Sequence, residues 1–460
     1  MVLNQIGVIG LGVMGANLTY NLSDHDHLIS VYDRNEESVT KVSNEKNIKG
    51  YHDLKSFVDS LQKPRKILLM VNAGSPVDSV ISELESLLSE GDIIVDGGNS
   101  YYLDTLRRQI KCKEKKIEFV GMGISGGAEG ARYGASLMPS GNKEAIQQLL
   151  PFLKGIAATT QQFDLCVDYI GEQGSGHFIK MVHNGIEYAD LQILCDAYAI
   201  MKHGLKMTNH GIAEVFESWQ QTELQSYLTG IASEVLKEQD PLTGNDLIDY
   251  ISDVAGSKGT GKWTIQYAIE ENIPCSTLFS AVDIRNISQL SRNKTKLESS
   301  KTSLSLTLET LQKAVYASRV FAYMQGFSIM EHASSQYNWN LDFESISKIW
   351  GAGCIIQGQL INDINDIYKQ ETFECLSQAQ PLIEILETRT ESWRETLIFA
   401  MNQDVYCPVI SSAYNDVMAM NTVHLSTNLL QGMRDYFGGH TYERVDREGN
   451  YHTNWNTENR

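Results

Sequence analysis

Gly10-Leu-Gly12-Val-Met-Gly15 closes a short apolar run at residues 5–10 and opens a helical stretch. A G-x-G-x-x-G between a strand and a helix restricts the fold severely. The first glycine permits a tight turn, the second lets the backbone approach a pyrophosphate, and the third lets helix and strand pack closely. The helix N-terminus then offers unpaired N–H groups and the positive end of its dipole to phosphate. A second strand, residues 28–32, ends in Tyr32-Asp33-Arg34-Asn35, which puts Asp33 18 residues past Gly15, where an acidic residue holds a ribose 2′-hydroxyl. Strand, glycines and carboxylate in this register predict a dinucleotide site made of Gly10, Leu11, Gly12, Val13, Met14, Gly15, Asp33, Arg34 and Asn35. The choice of dinucleotide stays open. Asp33 repels a 2′-phosphate and favours NAD, whereas Arg34 can stack on adenine and pair with that phosphate.

Further strands at residues 66–71, 93–96 and 117–120 alternate with helical segments such as 76–89, where Val77, Val80, Ile81, Leu84, Leu87 and Leu88 recur at helical spacing. Alternation of this kind predicts an α/β, Rossmann-type doubly wound domain over residues 1–173. The chain, at 460 residues, is too long for one ordinary core. Over residues 174–421 strand signals thin out, and breaker-poor stretches at 179–203 and 306–332 predict a large all-α domain. A Ser/Lys/Thr-rich stretch at 288–305 reads as a polar connection or a solvated helix face. Residues 422–460 mix aromatics, glycines and polar groups without periodicity, so they are expected to form a C-terminal tail that packs on something else.

Net charge is −19, which argues against nucleic acid or an acidic membrane surface as partner. It also means that an anionic ligand must be held by local cations. The longest apolar stretches are strand-sized and too short to span a membrane, and the first residues enter a strand at once, leaving no room for a secretory leader. Seven dispersed cysteines without a CxxC pair read as reduced thiols, so a cytoplasmic protein is expected.

Lys180, His183, Asn184, Glu187 and Tyr188 fall at i, i+3, i+4, i+7 and i+8, which aligns five hydrogen-bonding side chains on one helix face. A solvated face accounts for that spacing too, but such faces are richer in Glu and Lys and poorer in His, Asn and Tyr. Lys180 and Glu187 stand two turns apart, roughly 10 Å along the axis, so a small extended ligand can touch both. Ser257-Lys258-Gly-Thr260-Gly-Lys262-Trp263 packs cations, a hydroxyl and glycines into one turn suited to an anion, without P-loop spacing. Asp96-Gly-Gly-Asn99-Ser100 and Ser125-Gly126-Gly127 each follow a strand, at the carboxyl edge where doubly wound sheets bind ligands. No metal-ligand spacing and no covalent nucleophile motif is present in the sequence, and no metal is expected.

Five segments together resemble the 6-phosphogluconate dehydrogenase family over nearly the whole chain: Ile93-Ile-Val-Asp-Gly-Gly-Asn-Ser100, Gly123-Ile-Ser-Gly-Gly127, Lys180-Met-Val-His-Asn-Gly-Ile-Glu-Tyr188, Lys258-Gly-Thr-Gly-Lys-Trp-Thr264 and Arg434-Asp-Tyr-Phe-Gly-Gly-His440. The resemblance implies a homodimer whose tail reaches into the neighbouring subunit, and conversion of 6-phosphogluconate to ribulose 5-phosphate and CO2 with NADP as the family's usual cofactor. It implies Lys180 as general base and Glu187 as the acid that protonates the enediol. It implies Asn99, Ser125, Gly126, Gly127, His183 and Asn184 as holders of the carboxylate and hydroxyls. Tyr188, Lys258, Thr260 and Arg285 are implied for the phosphate, with Arg434 and His440 from the partner chain, and Val71, Asn72, Ala73 and Asn99 join the cofactor set. The chain departs from the pattern in ways that bear on cofactor and efficiency. Gly12 stands where the family usually has Ala, Asp33-Arg-Asn35 where it has Asn-Arg-Thr or Asn-Arg-Ser, Asn72 where Lys is common, Ala128 for a frequent Glu and Gln357 for a frequent Arg. The two cofactor-loop changes keep NAD or dual use open. An unphosphorylated β-hydroxy acid would leave Lys258, Arg285 and Arg434 without a purpose.

Overall fold

The computed structural model describes residues 3–162, 164–256, 259–290, 301–370 and 373–455. Seven strands form one sheet: β1 (Ile6–Ile9), β2 (Ile29–Tyr32), β3 (Ile48–Tyr51), β4 (Lys66–Leu69), β5 (Ile93–Asp96), β6 (Glu118–Ser125) and β7 (Ser136–Ser140). Their order is β3-β2-β1-β4-β5-β6-β7, parallel except for the antiparallel β6–β7 pair. This is a Rossmann arrangement with one antiparallel strand added at the edge. Both faces are buried. Val8, Leu68 and Val95 join one apolar cluster while Ile9, Ile67 and Ile94 join another, which is why the strands read as continuous apolar runs rather than alternating ones.

Two strands escape the apolar-run criterion. Ile48-Lys-Gly-Tyr51 is an edge strand with one buried residue, and Ser136-Leu-Met-Pro-Ser140 is interrupted by a proline that an edge position tolerates. β6 also runs five residues beyond Val120, and that extension carries Gly123 and Ser125 to the carboxyl edge.

Among the described residues the elements from Ser175 to Gly438 are helical, the longest being Ser175–Ala199, Leu308–Tyr337 and Gln380–Asn402. A buried ion pair joins the first two: Arg319 Nε donates to Asp190 Oδ1 at 2.7 Å, and the same guanidinium reaches Leu224 O and Thr229 Oγ1. Residues 1–413 form one compact unit and residues 414–460 a second.

The second unit has more order than its sequence suggests. Residues Thr427–Gly438 are helical, with Leu429, Leu430, Met433, Tyr436 and Phe437 at helical spacing, a periodicity masked by the glycines and aromatics that follow. A small hairpin pairs Tyr442–Glu443 with Asn450–Tyr451. The buried Asp435 carboxylate accepts from Thr441 N, Thr453 N, Trp455 Nε1 and His452 Nδ1, and so ties helix, hairpin and final segment together. The apolar side chains of that helix remain exposed, Phe437 at 73%.

Candidate active site

The turn after β1 is built by close approach. Gly10 adopts φ +97°, and a Cβ there would sit 2.5 Å from Met70 O; a Cβ on Gly15 would sit 1.9 Å from Gly10 O. Gly12 differs, since nothing lies within 4 Å of where its Cβ would be. The space before the second glycine is therefore open, and Gly12 caps the helix Val13–Asp24 without any side-chain hydrogen bond, which leaves the first-turn N–H groups for a ligand. That cradle suits a pyrophosphate.

Asp33 holds the turn in place. Its Oδ2 accepts from Leu11 N at 2.6 Å and its Oδ1 from Asn35 N at 2.8 Å. Asn35 caps the next helix through Glu37 N, and Arg34 lies 2.9 Å from Glu83 Oε1. Val71, Asn72 and Ala73 follow β4, and Asn99, exposed, follows β5. Buried Arg108 links the loops that carry them. It donates to Gly74 O, Ser100 Oγ and both Asp78 oxygens, which pushes the Asp78 carboxyl down to about 2.

The five polar residues of the helix Ser175–Ala199 are not a solvated face. Lys180, His183, Asn184 and Tyr188 are buried, and Glu187 is partly so. A Cβ on Gly123 would come within 2.5 Å of Lys180 Cβ, so the bare backbone of β6 is what lets the lysine stem pass. His183 is the hub. Its Nε2 lies 3.2 Å from Ser125 Oγ, and its Nδ1 lies 3.1 Å from Asn184 Oδ1, 3.3 Å from Lys180 Nζ and 3.8 Å from Glu187 Oε2. Asn184 in turn donates from Nδ2 to Thr260 Oγ1 at 2.9 Å. With the amide so oriented, Asn184 Oδ1 accepts the Nδ1 proton of His183, and Nε2 is left to accept from Ser125.

Burial and the neighbouring lysine push the His183 pKa well below its ordinary value, so the ring is neutral. Burial also lowers the pKa of Lys180, against the upward pull of the Glu187 carboxylate and of Cys354. A buried amine with a carboxylate two turns further along is suited to taking a proton and later returning one.

The second part of the site is cationic. Arg285 lies over the Tyr188 ring, 3.4 Å from its centroid, and donates to Gly256 O. Gly261 abuts the same ring. Lys258 lies outside the described residues. Gly126 and Gly127 both have positive φ, and a Cβ on Gly126 would strike Gly353 O. Arg434 and His440 belong to the second compact unit, where Arg434 donates to Gln431 and His440 stands edge-on to Phe437.

Three residues at the site carry no sequence signal. Trp350, edge-on to His183, and Cys354 lie in a stretch without periodicity, and Glu83 looks like an ordinary helix-surface charge. Gln357 accepts from Gly353 N at 2.8 Å and so braces the loop against Gly126.

β1, β4, β5 and β6 are consecutive neighbours in the sheet. The glycine turn and Ser125 therefore share one edge, separated across the strands by three strand spacings, about 14 Å, with Ser125 standing further out along β6. The model of the NAD binding domain of 6-phosphogluconate dehydrogenase matches residues 5–171, and that of the 6-phosphogluconate dehydrogenase C-terminal domain matches residues 176–455. The chain belongs to the 6-phosphogluconate dehydrogenase family. It is 40% identical over 463 residues to the decarboxylating 6-phosphogluconate dehydrogenase of Klebsiella pneumoniae, covering 98% of this chain and 99% of that one. It is 41% identical, with the same coverage, to the Bacillus subtilis 6-phosphogluconate dehydrogenase named as NAD(+)-dependent and decarboxylating. Among solved structures, Plasmodium falciparum 6-phosphogluconate dehydrogenase, determined in its apo form and in complex with NADP+ and with 6-phosphogluconate, superposes with a TM-score of 0.91 at 38% identity. That match covers 98% of this chain and 100% of the other.

Proposed function

We propose that this chain is an NAD(P)-dependent 6-phosphogluconate dehydrogenase that oxidises and decarboxylates 6-phosphogluconate to ribulose 5-phosphate and CO2 in the pentose phosphate pathway. The observation that carries the reading is the stripe of buried Lys180 and His183 with the partly buried Glu187, set against β6 on the same sheet edge as the glycine turn. A nicotinamide dinucleotide on that turn supplies the hydride acceptor. Lys180 takes the 3-hydroxyl proton as the carbinol carbon is oxidised, which requires the neutral amine that burial favours. The 3-keto acid then loses its carboxylate as CO2, and the Lys180 ammonium stabilises the electron pair left on the enolate oxygen. Glu187 delivers the proton that converts the enediol to the ketose at C1. Ser125, His183 and Asn184 orient the hydroxyls and carboxylate, while Tyr188, Thr260, Lys258 and Arg285 take the phosphate.

In this reading residues 1–173 hold the cofactor, 174–421 the substrate and subunit interface, and 422–460 form a tail exchanged within a cytoplasmic homodimer. The exposed Leu429, Leu430, Met433 and Phe437 support a partner for the tail helix, which brings Arg434 and His440 to the neighbouring phosphate site. No membrane or nucleic-acid partner is proposed, and no helix among the described residues is long and apolar enough to cross a membrane.

The test follows absorbance at the reduced-nicotinamide band together with CO2 release, using 6-phosphogluconate and NADP or NAD. Stoichiometric release of both products is expected. Reduction without CO2 would identify an ordinary β-hydroxy acid dehydrogenase instead.

A further inference from the structure

Beside the glycine turn lies a cavity of about 120 Å³ whose walls include Ile9, Tyr32, Asp33, Arg34, Val80 and Glu83. Asp33 and Arg34 come from the end of β2, Val80 and Glu83 from the helix Ser75–Leu84. Arg34 is the wall's cation, and it is already engaged by Glu83 at 2.9 Å. Arg34, Asp33 and Glu83 sum to a formal charge of −1. Two carboxylates from separate elements thus flank the position that a dinucleotide's adenosine end would occupy.

We infer that Glu83 is a specificity-determining residue, which holds the Arg34 guanidinium and opposes a 2′-phosphate so that the site selects NAD over NADP. The inference deepens the dinucleotide reading proposed above and rests on it. Glu83 has no evident purpose in the fold. It sits in the last turn of its helix, where the macrodipole disfavours a carboxylate, and its side chain is 47% exposed. Asp33 alone does not settle cofactor choice, because its oxygens also fix Leu11 and Asn35. Glu83 touches the question through charge only. Selection by an unfavourable charge against the wrong ligand is a common means of specificity. The Bacillus subtilis relative, 41% identical, is named as NAD(+)-dependent, whereas the Plasmodium falciparum one, 38% identical, was determined with NADP+, so likeness alone leaves the choice open.

The experiment uses the full chain. Fluorescence titration gives dissociation constants for NADH and NADPH, and kcat/KM is measured with NAD and NADP at saturating 6-phosphogluconate. Wild type is expected to bind NADH more tightly. Glu83→Gln should move the NADPH-to-NADH affinity ratio toward NADPH on the order of tenfold. Adding Arg34→Ala to Glu83→Gln should erase the shift, because the freed guanidinium is what receives the phosphate. Glu90→Gln removes an equal charge at the amino edge of the sheet, where Glu90 pairs with Lys116, and should leave the ratio unmoved. A wild type that prefers NADPH, or a Glu83→Gln ratio equal to that of Glu90→Gln, overturns the inference. Binding preferences as expected without turnover of 6-phosphogluconate would sustain it while refuting the substrate assignment. Failure to bind either dinucleotide refutes both.

Discussion

The helix Ser175–Ala199 and the turn after β1 both present polar groups to a ligand, yet they are built in opposite ways. Along the helix the polar groups are side chains, buried, each fixed by another: Ser125 to His183, His183 to Asn184, Asn184 to Thr260. At the turn the working groups are backbone N–H donors, and the side chains around them, Arg34 and Glu83, stand half in solvent. Low dielectric makes the first network strong and its members' pKa values movable, while water and salt weaken the second. The difference teaches where each property resides: proton transfer depends on buried groups that cannot be rearranged, cofactor choice on exposed ones that can.

The largest effect separating the two regions is expected from Lys180→Met, which keeps most of the side-chain volume and removes the amine. Turnover should fall on the order of 10³- to 10⁴-fold, the upper part of what general-base removal costs. NADH affinity, measured by titration, should stay close to wild type. Residual turnover above a tenth would mean that another group takes the proton.

Next in size is the support behind the stripe. Arg319→Met leaves the buried Asp190, in the middle of the reactive helix, without its counter-charge and with the Tyr323 hydroxyl as its remaining side-chain donor, so urea denaturation should register a loss of about 3–5 kcal/mol. A loss under about 1 kcal/mol would show that the buried pair is not what steadies this helix.

A third prediction concerns pH. Activity in the oxidation step should rise with pH as Lys180 loses its proton, at a midpoint below that of an ordinary lysine, because burial lowers its pKa. Glu187 pulls that pKa upward, so Glu187→Gln should shift the rising limb to lower pH even though the later protonation suffers. Single-turnover reduction of the dinucleotide isolates the first step. A rising limb that stays put, or moves to higher pH, would exclude electrostatic coupling between the two residues.

The two regions also differ in how much of them was legible in the sequence. The stripe announces itself because its five residues share one helix and spacing alone aligns them; burial, which separates a site from a solvated face, comes from other elements, from Thr260, Gly261 and Trp350 and from β6, whose extension to Ser125 past Val120 follows no simple apolar run. The glycine motif and Asp33 are readable for the same local reason. The bond from Leu11 N to Asp33 is not, since it spans strands, and neither is Arg34–Glu83, which joins residues 49 positions apart. β7 stayed hidden behind Pro139, and the tail helix behind its glycines and aromatics. What sequence periodicity conveys is the face a residue occupies. What it omits is the neighbour brought there by another element.

The smallest expected effect sharpens the contrast most. If Arg34 and Glu83 serve selection rather than folding, their coupling in the ligand-free protein should be worth no more than about 0.5 kcal/mol, the scale of an exposed ion pair. A double-mutant cycle with Arg34→Ala and Glu83→Gln, read by denaturation, measures it directly. The same cycle read by NADPH affinity should give a larger coupling, because the phosphate replaces Glu83 as the partner of the guanidinium. A coupling above about 1 kcal/mol without ligand would make the pair a structural strut. The exposed edge would then resemble the buried helix after all, with cofactor choice bound up in the fold and not separable from it.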